Sequence, residues 1–382
     1  MKGIVVYMLV LSLLLSGCAG LLDGSYVYVD THPVETVRSE QMEVVSTYSG
    51  LLKTLGELVQ SGNESGIISV AHYDQEKVER HMADAVEYLL HKDPIGAYAV
   101  SEITYDLGTS AGQPAVSVNI SYLHDRSEIK KIQHLSNWSE AESMITAALD
   151  NCDAGVVLYL ENYRDVDFAQ WVASYATAHP DLVMELPEVT ANLYPDSGSK
   201  RVMELKFTYK NTRDSLRAMQ KTVSRLFTAA AIYADSDGGQ QDQYFKLFSF
   251  LMGLSPDFQI ETSITPAYSL LQHGVGDSRA FATVYAAMSA QVDLECHIVT
   301  GTKSGEPRYW NMICCDGVYY HLDLLECNST GEFTLWLDAD MNGYVWDYSG
   351  YPACVAPENP PDAPPTEPED PAQPAEPTDP ME

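Results

Sequence analysis

The apolar positions of this chain follow three successive patterns. The first is an apolar run over 4–15, interrupted only by Tyr7 and Ser12. No later segment approaches the roughly 18 apolar residues that a bilayer-spanning helix needs. The second pattern is a mixture of rhythms. Residues 75–91 and 166–178 carry the three-and-four spacing of amphipathic helices, whereas "AVSVNISY" (115–122) and "VMELKFTY" (202–209) alternate as half-buried strands do. A helix over about 35–59 is expected to precede the first strand, "GIISVAHY" from Gly66. The third begins near Asp242. A helix over 245–254 leads to a glycine-broken turn at 274–276, and Asp277 and Ser278 suit a helix start. Phe281, Val284, Tyr285 and Met288 then form an apolar stripe down to about Gln291. "ECHIVTG", "RYWNMICCDG" and "VYYHLDL" follow as strands, the last two joined by Asp316-Gly317, a two-residue hairpin signal.

Part of the middle region repeats. "YLHDRSEIKKIQ" from Tyr122 matches "YKNTRDSLRAMQ" from Tyr209 in its Tyr, Arg and Gln, and the apolar positions Ile129/Leu216 and Ile132/Met219 keep their spacing. "GVVLYLENY" at Gly155 repeats the strand at Gly66. The offset of about 87 residues exceeds that of common solenoid repeats, so two small duplicated α/β units are expected, at 65–150 and 151–235. Each reads as β-α-β-β-α. His72, His81, His91 and His124 are scattered and read as exposed or hydrogen-bonded side chains rather than as a site.

Composition narrows the function classes. The formal net charge of -32 disfavours nucleic acid and anionic lipid head groups, which call for a basic face. With 45% hydrophobic residues and 24 tyrosines, most of the chain can bury a core. Residues 355–382 are the exception. They are mostly Pro, Asp, Glu, Ala and Thr, without a single cation or aromatic, and are expected to form an extended acidic tail.

Lys2, the apolar run and Leu15-Ser16-Gly17-Cys18 together resemble a lipoprotein signal with its lipobox. The resemblance implies removal of 1–17, a diacylglycerol on the Cys18 thiol, and residence at the extracytoplasmic face of the cell membrane with membrane lipid as a partner. An ordinary secretory signal that happens to contain a cysteine is the alternative. Residues 18–64 then read as an anchor linker with its helix.

The C-terminal words resemble the transglutaminase-like family. Its helix opens G-x-C-R-x-[FY]-A, and here Gly276-Asp277-Ser278-Arg279-Ala280-Phe281-Ala282 stands in that place. The family's H-x-W-N strand is matched by Arg308-Tyr309-Trp310-Asn311, and its aromatic-H-x-D element by Tyr320-His321-Leu322-Asp323. "FTLWLDADMNGYVWDYSGYPAC" is similar to the ending of bacterial surface members. The resemblance covers about 242–354, under a third of the chain. It implies a transglutaminase-like, papain-like domain over 236–354, which with the two duplicated α/β units read from the repeat makes an α+β architecture.

In that family a cysteine at the helix start attacks a carboxamide, a histidine carries the proton and an aspartate orients the histidine. The matching positions here are Ser278, Arg308 and Asp323, so only the last is kept. No cysteine lies between Cys152 and Cys296 and no histidine between His297 and His321, so no shifted register restores the triad. Arginine stays protonated and cannot serve as a base. The expectation is a non-catalytic domain acting as a binding or structural scaffold for a cell-surface or cell-wall protein or peptide. The alternative is a hydrolase or amidase using Ser278 with His273 or His321 recruited as its base.

Six cysteines follow Cys18. A hairpin centred near Gly305 brings Cys296 roughly opposite Cys314, so a cross-strand contact or disulfide is expected there, although ordinary buried thiols fit equally well. No cofactor or metal is expected. Cys314-Cys315 lacks zinc spacing, and the run from Asp338 to Gly343 mimics half a calcium loop but meets Ser349 at the twelfth position.

Overall fold

The computed structural model describes residues 43–235, 238–254 and 264–356. The expected signal, Cys18 and all but two residues of the acidic tail lie outside them. Among the described residues no helix is long and apolar enough to cross a membrane. The chain is α+β and forms two compact units: one of residues up to Leu90 with Ala99–Arg126, the other of His91–Tyr98 with everything from Ser127.

The first unit begins with strand β1 (Glu43–Val44), helix α1 (Tyr48–Gln60) and strand β2 (Ser65–Ser69). Helix α2 (Val78–His91) precedes the hairpin of β3 (Val100–Ser110) and β4 (Gln113–Tyr122), whereas the short helices α3 (Pro94–Ala99) and α4 (Arg126–Lys131), which flank the hairpin in sequence, belong almost wholly to the second unit. Of the helix expected over 35–59, residues 35–42 lie outside the described residues, and the described part begins only at Tyr48. Val45 N–H donates to Ser69 O, which holds the preceding backbone against β2, and Thr47 Oγ1 accepts from Gly50 N–H at 3.2 Å as the cap of α1. Leu51, Leu55 and Val59 then line up on its fully buried face.

The second unit contains β5 (Gln133–Leu135), α5 (Trp138–Asp150), β6 (Gly155–Leu160), α6 (Phe168–Ala178), β7 (Glu188–Tyr194), β8 (Arg201–Thr208) and the long α7 (Arg213–Ala234). Its sheet order is β5-β6-β8-β7, and that of the first unit is β1-β2-β4-β3. Directions agree as well. The first two strands of each sheet are parallel, and all other pairings are antiparallel. Each sheet therefore has the frame β-α-β-α-β-β, one strand and one helix longer at its start than the sequence pattern suggested.

The junction expected at 150/151 is accordingly corrected. Helix α5, read as closing the first repeat, opens the second. Parallel strands need a crossover connection, and α5 supplies it between β5 and β6. It buries Ala141, Ile145 and Leu149 against Leu158, Phe168 and Met203.

The remaining elements are α8 (Gly239–Met252), α9 (Pro266–His273), α10 (Ser278–Ala290), β9 (Cys296–Lys303), β10 (Glu306–Cys315), β11 (Val318–Leu322), α11 (Leu324–Thr330) and β12 (Tyr344–Trp346). Their sheet runs β11-β10-β9-β12 and is antiparallel throughout. Both hairpin turns hold two left-handed residues, Ser304-Gly305 and Asp316-Gly317, as tight turns matched to strand twist require. One sheet face packs on α10 through Ile313 and Cys315, in a core that also takes Leu216, Val223 and Phe227 from α7. The other face buries Val299, Trp310 and Met312 under Met341, Trp346 and Cys354 of the C-terminal segment. Gly301 permits this second layer: a Cβ there would collide with Val345 O and the Trp310 ring.

The two-residue turn at Ser304-Gly305 sets a register that places Cys296 opposite Ile313. Cys314 is one position further along and therefore points to the other face. The expected Cys296–Cys314 pair is thus overturned, and the six described cysteines are free thiols. Cys296 lies instead beside the side chains of Ser289 and Asn311, and burial pushes its thiol up to about 12.

Candidate functional site

Ser278 is the first residue of α10. Asp277 caps the helix, accepting from Ala280 N–H at 2.8 Å. The helix then enters the core, with Ala280 through Tyr285 all buried. Asn311 Nδ2 donates to Ala282 O at 2.9 Å and ties α10 to β10. Ser278 Oγ accepts the backbone N–H of Tyr309 at 3.2 Å. Among the described residues no histidine nitrogen is hydrogen-bonded to that hydroxyl.

Arg308 stands one residue earlier on β10, opposite Gly301 in the ladder. Its guanidinium grips Asp323 bidentately, Nε to Oδ2 at 2.7 Å and Nη2 to Oδ1 at 2.8 Å. The Asp323 side chain is fully buried and that of Arg308 only 16% exposed. Such a fork-to-carboxylate pair is geometrically specific and roughly twice as strong as a neutral hydrogen bond. Two further donors complete the carboxylate. Tyr344 OH donates to Oδ2 at 2.7 Å, and Glu326 N–H donates to Oδ1 at 3.1 Å, so that Asp323 also caps α11. Burial by itself would lower the Arg308 pKa, but the hydrogen bonds and charge of Asp323 outweigh it and raise the value. Burial, reinforced by Asp323, drives Tyr344 well above the ordinary phenol range.

Around this pair the charges continue in a chain. Lys303 Nζ meets Glu326 Oε2 at 2.6 Å and lies 5.0 Å over the Tyr344 ring, while Arg308 Nη2 approaches the same Glu326 oxygen at 3.8 Å. Both Asp323 oxygens, the Tyr344 hydroxyl and the Lys303 ammonium are thus committed to neighbours. Tyr344, Glu326 and Lys303 were not singled out in the sequence. Only the aromatic-rich ending around "YVWD" carried a hint of Tyr344.

His321 faces away from this pair, within the second layer. Trp310 Nε1–H donates to its Nδ1 at 2.9 Å, which places the neutral ring's proton on Nε2, and Nε2 donates to Asp338 Oδ1 at 2.9 Å. Burial lowers the His321 pKa, with Asp338 opposing the shift. His321, Asp338 and Cys354 bring their ligand-type atoms within 4.8 Å of one another. The hydrogen-bond pattern does not suit a metal, however. A ligating Nε2 must lose its proton, and Nδ1 cannot take it up while Trp310 is donating to it. Cys354 completes the clasp through its backbone, donating to Asp338 Oδ2 at 3.1 Å, and burial pushes its thiol up to about 12. In the acidic stretch that mimics a calcium loop, Asp340 Oδ2 accepts from Leu337 N–H at 3.0 Å.

No family model and no curated protein matches the chain. A solved structure described as "Crystal structure of a TGase" is similar over 57% of this chain and 63% of its own, at 10% identity and a TM-score of 0.24. The chain thus spans less than two thirds of that neighbour, and a likeness of this size carries no argument about chemistry.

Proposed function

We propose that the chain is an extracytoplasmic lipoprotein, anchored through Cys18, whose 236–354 region is a transglutaminase-like domain that no longer catalyses and acts as a binding or structural scaffold at the cell surface. One observation carries the non-catalytic reading: the bidentate Arg308–Asp323 pair occupies the positions where the family's histidine and aspartate would work. A permanent cation there can neither accept nor deliver a proton. Ser278 has a backbone N–H at its oxygen and, among the described residues, no histidine nitrogen bonded to it, and an unassisted serine is a weak nucleophile near neutral pH. The alternative with His321 as recruited base is disfavoured because both ring nitrogens of His321 are engaged by Trp310 and Asp338.

The ligand of such a scaffold is a cell-wall or cell-surface protein or peptide. The non-catalytic reading is tested by assaying the natural protein and Ser278→Cys on glutamine-containing peptides, with no turnover expected from either. The anchor is tested by fractionation. Cys18→Ala is expected to move the protein from the membrane to the soluble extracytoplasmic fraction, and unchanged membrane retention would remove the lipoprotein reading.

A further inference from the structure

Thr283 lies one turn beyond Arg279 on α10, so both side chains share a helix face. It is 4% exposed, and its Oγ1 has no hydrogen-bond partner. A buried hydroxyl in that state is destabilising until something supplies the missing bond. Thr283 is one of the residues lining an open-mouthed cavity of about 660 Å³ bordered by α6, α9, α10 and the adjoining ends of β7 and β8. Ala176, Ala267, Ala280, Pro187, Leu186 and Ile264 provide a largely apolar wall. The volume falls within the few hundred to about 1,000 Å³ of ordinary small-ligand sites, which combine such walls with a few placed polar groups.

The charged groups of the lining indicate which polar group is missing. Arg279 is held by Nη2 donating to Thr177 Oγ1 at 2.8 Å and by stacking 5.5 Å over the Tyr309 ring. Among the described residues neither Arg279 nor Lys210, the other cation of the lining, has an ion-pair partner. Glu185 is 2% exposed and its carboxylate is used up internally: it accepts from Lys210 N–H at 2.6 Å and from Asn211 N–H and Nδ2 at 3.1 and 2.7 Å. Glu188 is the one acid left exposed at the edge. In a chain with 54 acidic and 22 basic residues, two unpaired cations beside one apolar cavity favour an anionic guest.

We infer that this cavity binds a carboxylate carried on an apolar body, with Arg279 and Lys210 meeting the charge and the Thr283 hydroxyl supplying a hydrogen bond. A free aliphatic acid and the C-terminus of an apolar peptide share that chemistry. The inference names a ligand class for the binding role proposed above and rests on it, yet the two fail separately. Absence of carboxylate binding overturns the cavity assignment alone, whereas turnover of glutamine peptides overturns the inert reading alone.

The test is calorimetric titration of the purified full chain with octanoate and octan-1-ol, and with N-acetyl-Leu-Leu as free acid and as amide. At least one acid is expected to bind saturably, about ten-fold tighter than its neutral counterpart. Octanoate alone identifies a free acid, and the peptide acid alone identifies a chain terminus. Arg279→Gln, a change at an exposed position, is expected to weaken the acid about ten-fold and leave the neutral probes unaffected. Thr283→Val preserves the shape and removes the unpartnered hydroxyl. It should weaken the acid several-fold while the thermal midpoint holds or rises. No saturable binding of either acid, equal binding of acids and neutral probes, or an Arg279→Gln variant that binds like the natural protein would each overturn the assignment.

Discussion

Asp323→Ala is expected to lower the unfolding free energy of its unit by about 3–5 kcal/mol, the range found when one partner of a buried ion pair is removed. The side chain is fully buried and accepts from four donors: Arg308 Nε and Nη2, Tyr344 OH and Glu326 N–H. Alanine would strand a guanidinium that is 16% exposed and a phenol, and would uncap α11. Replacing both members, Arg308→Leu with Asp323→Leu, should cost clearly less than the single change, because no unpaired charge remains. Tryptophan fluorescence in a urea titration reads the relevant unit, since all five tryptophans lie beyond Ser127. A loss below about 1 kcal/mol would mean that the pair behaves like an exposed surface bridge.

Trp310→Ala is expected to be of similar size, about 3–5 kcal/mol, as for other buried large-to-small changes. The indole is fully buried, set edge-on against Tyr344 and Trp346 at centroid distances of 5.2 and 5.8 Å. Among the described residues it also supplies the only hydrogen bond to His321 Nδ1. Trp310→Phe separates the two contributions. It keeps much of the packing and loses the N–H, so a cost nearer 1–3 kcal/mol is expected from the unpaired nitrogen and the smaller ring. If the phenylalanine variant proved as unstable as the alanine one, the hydrogen bond would matter more than the packing.

The C-terminal region was legible in the sequence wherever local rules decide structure. Asp277 caps its helix, and Asp316-Gly317 turns its hairpin, because short-range chemistry fixes both. The repeat was legible too, but its frame was not. Strands β1 and β5 are two and three residues long, too short to show any period, and what they add is a parallel pairing to a distant strand. Sequence spacing alone puts Cys296 one residue away from its true neighbour, because register depends on turn length and one position reverses the face. At the site, Arg308 and Asp323 could be matched by motif, whereas Tyr344, 21 residues downstream of Asp323, reaches it only through the packing of β12 beside β9. Thr283 reads in the sequence as one more residue of a buried helix. Its unpartnered hydroxyl is a property of what surrounds it.

The proposed non-catalytic reading separates two ways in which such a triad can be lost. Removing the nucleophile alone would leave a histidine–aspartate couple able to move protons. On the proposed reading, the position matched to that histidine holds an arginine locked to the aspartate, so a thiol introduced at Ser278 would gain no base. That leads to the most direct measurement: ammonia release from a glutamine-containing peptide in the presence of a primary amine, for the natural protein and for Ser278→Cys. The account predicts no release above the protein-free background from either. Sustained release by either would contradict it.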